Sequence, residues 1–178
     1  MRPPELAQDT TPTLPVVRHA VESLAAAGET YDAICLLQPT NPLRRAEDID
    51  RCIELLETTG ADSVISVLPV PHEYNPKWVY WKKPDGEMIL TTGETAPISR
   101  RQDLPPAFYR EGSVYVTRKT VLFESGNLYG NNVQGYEIEP EYSANVDTLE
   151  DWDEVEERLR KRFGNSNSGE EPSFSITV

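Results

Sequence analysis

At 178 residues, with 38% hydrophobic content and a mean hydropathy of −0.53, the chain suits one well-cored domain and is short for two. A formal net charge of −13 excludes a nucleic-acid binder working through a broad basic face. No apolar run approaches the roughly 18 residues of a membrane span, and no basic-then-apolar leader opens the sequence, so a cytoplasmic protein is expected.

Residues 1–12 are polar and proline-rich. Thr13 then offers a helix N-cap and Pro15 suits a first turn, with Val17, Ala20, Val21 and Leu24 at helical spacing before Gly28. Ala33 to Leu37 is a continuous apolar run, as for a strand covered on both faces. Ile49, Cys52, Ile53 and Leu56 mark one face of a second helix, whose first turn carries Glu47 and Asp48 and which Gly60 ends. The β-branched run Ser63 to Leu68 completes a strand–helix–strand unit, which predicts a parallel sheet with a right-handed crossover. Cys35 and Cys52 fall inside that strand and helix and read as buried free thiols.

The segment 69–106 breaks this rhythm. It holds Tyr74, Trp78, Tyr80 and Trp81 among prolines, with a turn at Pro84-Asp85-Gly86, and reads as an excursion from the sheet. Its aromatics suit either a small satellite core or a second subunit. Strands at Ser113–Thr117 and Gly135–Ile138 flank a short helix at Thr120–Phe123. A last helix starts at a Thr148/Asp151 capping box and turns Trp152, Val155, Leu159 and Phe163 inward. Residues 164–178 are low in apolar content and read as a tail, so the expected domain is 1–163.

Ligands of open α/β sheets gather beyond the carboxyl ends of the strands, and three polar clusters fall there. They are Gln38, Thr40, Asn41, Arg44 and Arg45; Arg100, Arg101 and Gln102; and Asn145 with Asp147. Each alone also suits a plain structural role, as a turn, a solvated side chain or a helix-start anion. His19 and His72 have no recognisable catalytic partner. Overall negative charge leaves a small anionic ligand open. Charges beyond a screening length of about 8 Å fade, whereas one arginine about 4 Å from a phosphate contributes up to about 4 kcal/mol at an effective dielectric of about 20.

Together LLQPTNPLR, RRQDLPPAFYREGSVYV and NVDTLEDW, with the opening RPPELAQDTTPT, resemble the cytidylyltransferases that activate acidic nine-carbon sugars, the acylneuraminate cytidylyltransferase family. The resemblance spans Arg2 to Leu159. It implies a Rossmann-like α/β nucleotidyltransferase fold, a three-layer sandwich with a mostly parallel sheet, and a homodimer formed through the 69–106 excursion. It further implies transfer of CMP from CTP to a sugar acid, with Mg2+ and release of pyrophosphate. By position, Gln38, Thr40, Arg44, Arg101 and Tyr115 would meet the substrate, and Arg2 and Thr13 the nucleotide. Asp147 with Asn145 would hold the metal, and Asp147 and Arg101 would be the catalytic pair.

Three departures qualify this expectation. No segment of the form RxGSKGxxxKN precedes the first strand, so the chain reads as a fragment, a mis-called start or a truncation that binds CTP weakly and exposes a strand edge. Asn145 stands where the family has a second carboxylate. Glu111-Gly112 replaces the family's Asn-Gly, placing a carboxylate expected to repel an acidic substrate. A non-catalytic sugar-binding or dimerising relative therefore stays open, as does a cytidylyltransferase for 3-deoxy-octulosonate, legionaminate or pseudaminate.

Overall fold

The run Ser63–Pro69 becomes β2, an inner strand of the computed structural model, which describes residues 2–164. The tail expected over 164–178 therefore lies, Gly164 apart, outside the described residues. Around β2 the chain builds α1 (Thr13–Ala26), β1 (Ala33–Leu37), α2 (Ala46–Thr59), β5 (Phe108–Arg118), β6 (Val133–Glu137) and α3 (Leu149–Phe163). A separate hairpin of β3 (Tyr80–Lys82) and β4 (Met88–Leu90) closes over the predicted Pro84-Asp85-Gly86 turn, where Gly86 takes φ +93°.

The main sheet runs β1-β5-β2-β6. Strands β1, β2 and β6 point one way, and β5 is antiparallel to both of its neighbours. The β1–α2–β2 unit thus exists, but its strands are not adjacent, because β5 lies between them. The 11-residue β5 carries Val114 and Val116 fully buried beneath α2, and residues 115–117 are in register with both β1 and β2. Only an inner position buries such a strand on both edges.

Helix α2 covers one face. Cys52 and Leu56 pack with Ala61, Val64, Val114 and Val116, and Gly60 closes the helix in the left-handed conformation. Ile53 departs from the predicted face and is 37% exposed, lying too far round the helix to reach the sheet. On the opposite face the turn at residues 125–130 caps one end, with Ser63 Oγ donating to the Tyr129 carbonyl (2.6 Å) and Thr117 Oγ1 to that of Leu128 (2.7 Å). Arg18 of α1 stacks over Phe123 at 5.1 Å on the π-helical turn Val121–Ser125. An apolar groove of about 380 Å³ among Ile65, Val67, Phe108, Val133 and Gly135 remains open there.

Other expectations of burial fail at the periphery. β1 pairs with β5 alone among the described residues, and Cys35 on it is exposed rather than buried. On α3 only Val155 is buried, while Trp152 and Phe163 face outward. The aromatics of the excursion divide. Trp78 Nε1 donates to the Ile98 carbonyl (2.6 Å), and buried Asn75 ties the segment to Pro105 (2.9 Å). Tyr74, Trp81 and Met88 are exposed. No described helix is long and apolar enough to cross a membrane.

These two sides of α2 separate in stability. Leu56→Ala, at a 2% exposed site, should cost about 3 kcal/mol in urea denaturation, whereas Ile53→Ala should cost less than about 1 kcal/mol. Equal losses would mean that the face defined by helical spacing is the packed one after all.

Candidate functional site

Parallel strands release their chains at one edge of the sheet, and the antiparallel β5 enters from that same edge. Gln38 follows β1, Glu111 and Gly112 lie in the first half of β5, and residues 138–148 follow β6. The polar segments therefore meet by topology before any side chain is considered.

Beyond β1 the chain turns at Gln38–Asn41, with the Asn41 N–H donating to the Gln38 carbonyl at 3.3 Å. Asn41 and Leu43 are buried and anchor the corner. Arg44 then reaches back, and its Nη1 donates to the carbonyls of Gln38 (3.1 Å) and Ser113 (2.8 Å). Across the gap the Val146 N–H donates to the Thr40 carbonyl at 2.8 Å. That bond holds the Asn145–Asp147 loop against the corner.

The second arginine also turns inward. Arg45 forms a two-pronged contact with Asp48, Nε to Oδ2 at 3.0 Å and Nη2 to Oδ1 at 2.7 Å, and Nη1 reaches Glu139 at 3.0 Å. Its guanidinium lies 3.8 Å from the Tyr142 ring centroid. Asp48 is 2% exposed and also accepts from Tyr136 Oη at 3.2 Å. Burial alone would raise the Asp48 carboxyl, but the Arg45 and Tyr136 bonds outweigh it and hold it below the usual carboxylate range. Sequence spacing marked Asp48 only as a favourable helix-start charge. Nothing local signals a partner 88 residues away.

β5 departs from regular pairing where it enters. Ile65 faces Tyr115 and Val67 faces Arg110, so Glu111 to Val114 bulge opposite Ser66 alone. The Ser66 hydroxyl fills that gap, accepting from Val114 N (2.8 Å) and donating to Val114 O (3.1 Å). Gly112 sits in the bulge at φ +104°, and a Cβ there would lie 3.3 Å from Asn41 Nδ2 and 4.0 Å from Tyr115 Oη. Tyr115 itself is buried, edge-on to Tyr129 with ring centroids 6.5 Å apart. Glu111 was expected to face the ligand side. The bulge instead turns it inward, 9% exposed, onto Ser113 N (2.8 Å), Ser113 Oγ (2.7 Å) and Ser143 Oγ (3.1 Å).

The expected site residues accordingly fall into two groups. Gln38, Thr40, Arg44, Tyr115, Asn145 and Asp147 gather around the corner and the bulge. Arg101 is exposed in the 3-10 turn Arg101–Asp103 leading toward β5, and no hydrogen bond among the described residues ties it to the others. Arg2 and Thr13 are exposed near the start of α1 and are likewise unconnected to the corner. Asn145 Nδ2 donates to Asp147 Oδ2 at 2.5 Å, and both residues are exposed. No group of three His, Cys, Asp or Glu converges as a metal cage among the described residues.

The chain is 32% identical over 165 residues to N-acylneuraminate cytidylyltransferase A of Danio rerio, and 31% over 166 residues to the N-acylneuraminate cytidylyltransferase of Oncorhynchus mykiss. An enzyme of the same name from Streptococcus agalactiae is 27% identical over 152 residues. These alignments take in 92%, 92% and 85% of this chain but only 36%, 36% and 35% of those proteins. The chain thus spans about a third of the length of the curated relatives it matches. No family model matches it. A solved CMP:2-keto-3-deoxy-manno-octonic acid synthetase complexed with CTP superposes over 82% of this chain and 68% of its own, with a TM-score of 0.55 at 14% identity, and shares the Rossmann-like fold.

The Asp48 contact gives a pH signature. Its folded pKa lies below its unfolded value of about 4. The stabilisation is therefore complete above about pH 4 and disappears as pH falls through the folded value. Asp48→Asn should cost about 3 kcal/mol at pH 7 in urea denaturation, with the gap from the parent closing below about pH 4. A gap that is constant with pH would remove Asp48 as the cause.

Proposed function

This chain is a relative of the N-acylneuraminate cytidylyltransferases, and from that premise we propose that it serves transfer of CMP from CTP to the anomeric hydroxyl of an acidic, sialic-acid-like sugar, releasing pyrophosphate. One observation carries the reading. The Val146–Thr40 bond joins two segments of the resemblance that lie far apart in the sequence, at the edge where such folds bind ligands.

At this edge the chain's own groups have separable tasks. The Gln38 side chain, on a backbone held by Arg44, can donate to and accept from sugar hydroxyls or a base. Tyr115 and Gly112 set the wall behind it. Asp147 and Asn145 offer one carboxylate and one amide, a donor set that suits a magnesium ion completed by substrate phosphates rather than by a protein cage. Such an ion would neutralise charge developing on the phosphoryl oxygens. Arg101 would approach the sugar carboxylate from the excursion, whose chain enters the sheet at this same edge. Arg2 and Thr13 would meet the nucleotide only from the far side of the corner.

The same reading includes a homodimer through the excursion. Exposed Tyr74, Trp81 and Met88 on the β3–β4 side support it, since apolar groups of this size are otherwise costly to leave in water. Trp81→Ala (68% exposed) should shift sedimentation toward the monomer without lowering the melting temperature, and an unchanged mass would count against this surface.

Turnover itself is tested by pyrophosphate release with CTP, magnesium and N-acetylneuraminate, run beside 3-deoxy-octulosonate. Product formation should fall about 100-fold or more in Asp147→Ala. Sugar-acid binding with neither CTP binding nor product would favour the non-catalytic relative instead.

A further inference from the structure

A buried carboxylate that faces no cation is retained only where donors surround it. Glu111 is such a group, and no ion pair includes it among the described residues. We propose that Glu111 is a positioning residue: through Ser143 it latches the loop that carries Asn145 and Asp147 onto the bulge of β5.

Two of its three donors come from Ser113, two residues along the same strand, and would form wherever the loop lay. The Ser143 bond is different. It crosses 32 residues of sequence and joins β5 to the segment between β6 and α3. Ser143 is held from its other side too, its carbonyl accepting from Arg158 Nη1 of α3 at 2.9 Å. Three residues on, Val146 is fixed to Thr40. The loop is thus tied to the sheet edge at two points, and Asn145 and Asp147 flank the second. Without the first, the loop keeps the Val146–Thr40 bond and the Asp147 N–H bond to Asp151 Oδ2 (3.0 Å), but no hydrogen bond among the described residues joins it to the bulge.

The bulge is what makes the latch reachable. Regular pairing would send alternate β5 side chains to the two faces of the sheet, whereas residues 111–114 against Ser66 free Glu111 to point along the edge. Both serine hydroxyls meet Oε2 and the Ser113 N–H meets Oε1, so a glutamine amide could still bond both hydroxyls, and it is truncation to alanine that removes the latch. Only the consequence for metal binding rests on the cytidylyltransferase reading. The latch itself rests on geometry alone.

Two readouts test it on the full chain. Hydrogen exchange at the Val146 amide should quicken about tenfold in Glu111→Ala and in Ser143→Ala, with the double variant no faster than either. Ser143→Thr, which keeps the hydroxyl, should restore the parent rate. Manganese affinity, measured by paramagnetic resonance with CTP present, should weaken about tenfold in the same two variants. If Glu111→Ala does not fold, Ser143→Ala removes only a half-buried hydroxyl and carries the test alone. Unchanged exchange in Ser143→Ala overturns the latch, and quickened exchange with parent-like manganese affinity overturns its positioning role. Absence of manganese binding in the parent protein would defeat the cytidylyltransferase reading instead, leaving exchange alone to decide the latch.

Discussion

The polar edge depends on one guanidinium. Arg44 Nη1 bridges the carbonyl of Gln38, just past β1, and that of Ser113, inside the bulge of β5 and outside its paired register. Both residues lie outside the paired register, and although the Gln38 carbonyl also accepts the Asn41 N–H at 3.3 Å, the arginine gives each partly buried acceptor a charged donor. One charged donor serving both fixes the end of β1 against the bulge. The turn bearing Thr40 and Asn41, and through Thr40 the loop bearing Val146, inherit their positions from it.

Charge in this molecule works locally. The chain carries −13 overall, yet Arg44 and Arg45 do not face solvent as an attracting pair. Arg44 serves carbonyls, and Arg45 serves Asp48 and Glu139 while covering Tyr142. A buried pair such as Arg45–Asp48 gives little net stability compared with apolar packing, but breaking one side of it is costly. Its value is registry: α2, β6 and the loop after β6 can meet in only one arrangement that satisfies both Asp48 oxygens.

Where a short stretch decides the outcome, the sequence is legible. The Thr148/Asp151 capping box forms, Gly60 adopts the left-handed cap, and the turn at Pro84-Asp85-Gly86 closes a hairpin. The order of strands and helices is legible as well. Insertion of β5 between β1 and β2 is not, because hydrophobic period reports that a strand is buried and says nothing of its neighbours. Ile53, Trp152 and Phe163 fail for a related reason: helical spacing gives a face, but the width of what it packs against sets which of its residues are covered. In the site, the residues of the corner and of the Asn145–Asp147 loop were identifiable by motif. The inward roles of Glu111, Ser143 and Asp48 were not, since each depends on a partner or a bulge defined only in three dimensions.

The two acidic departures at this edge consequently differ in weight. A carboxylate in place of an amide at Glu111 suggests repulsion of an acidic ligand, but it is buried, with its oxygens bonded by two serine hydroxyls and a backbone N–H. Its charge is compensated where it stands. Asn145 has no comparable enclosure. It is exposed, and its contact is with Asp147 itself, so a neutral amide stands where an aspartate would add negative charge. A cation held here would rely more heavily on the phosphates of its ligand, so Asn145 bears on affinity directly through charge and Glu111 only through the loop it holds.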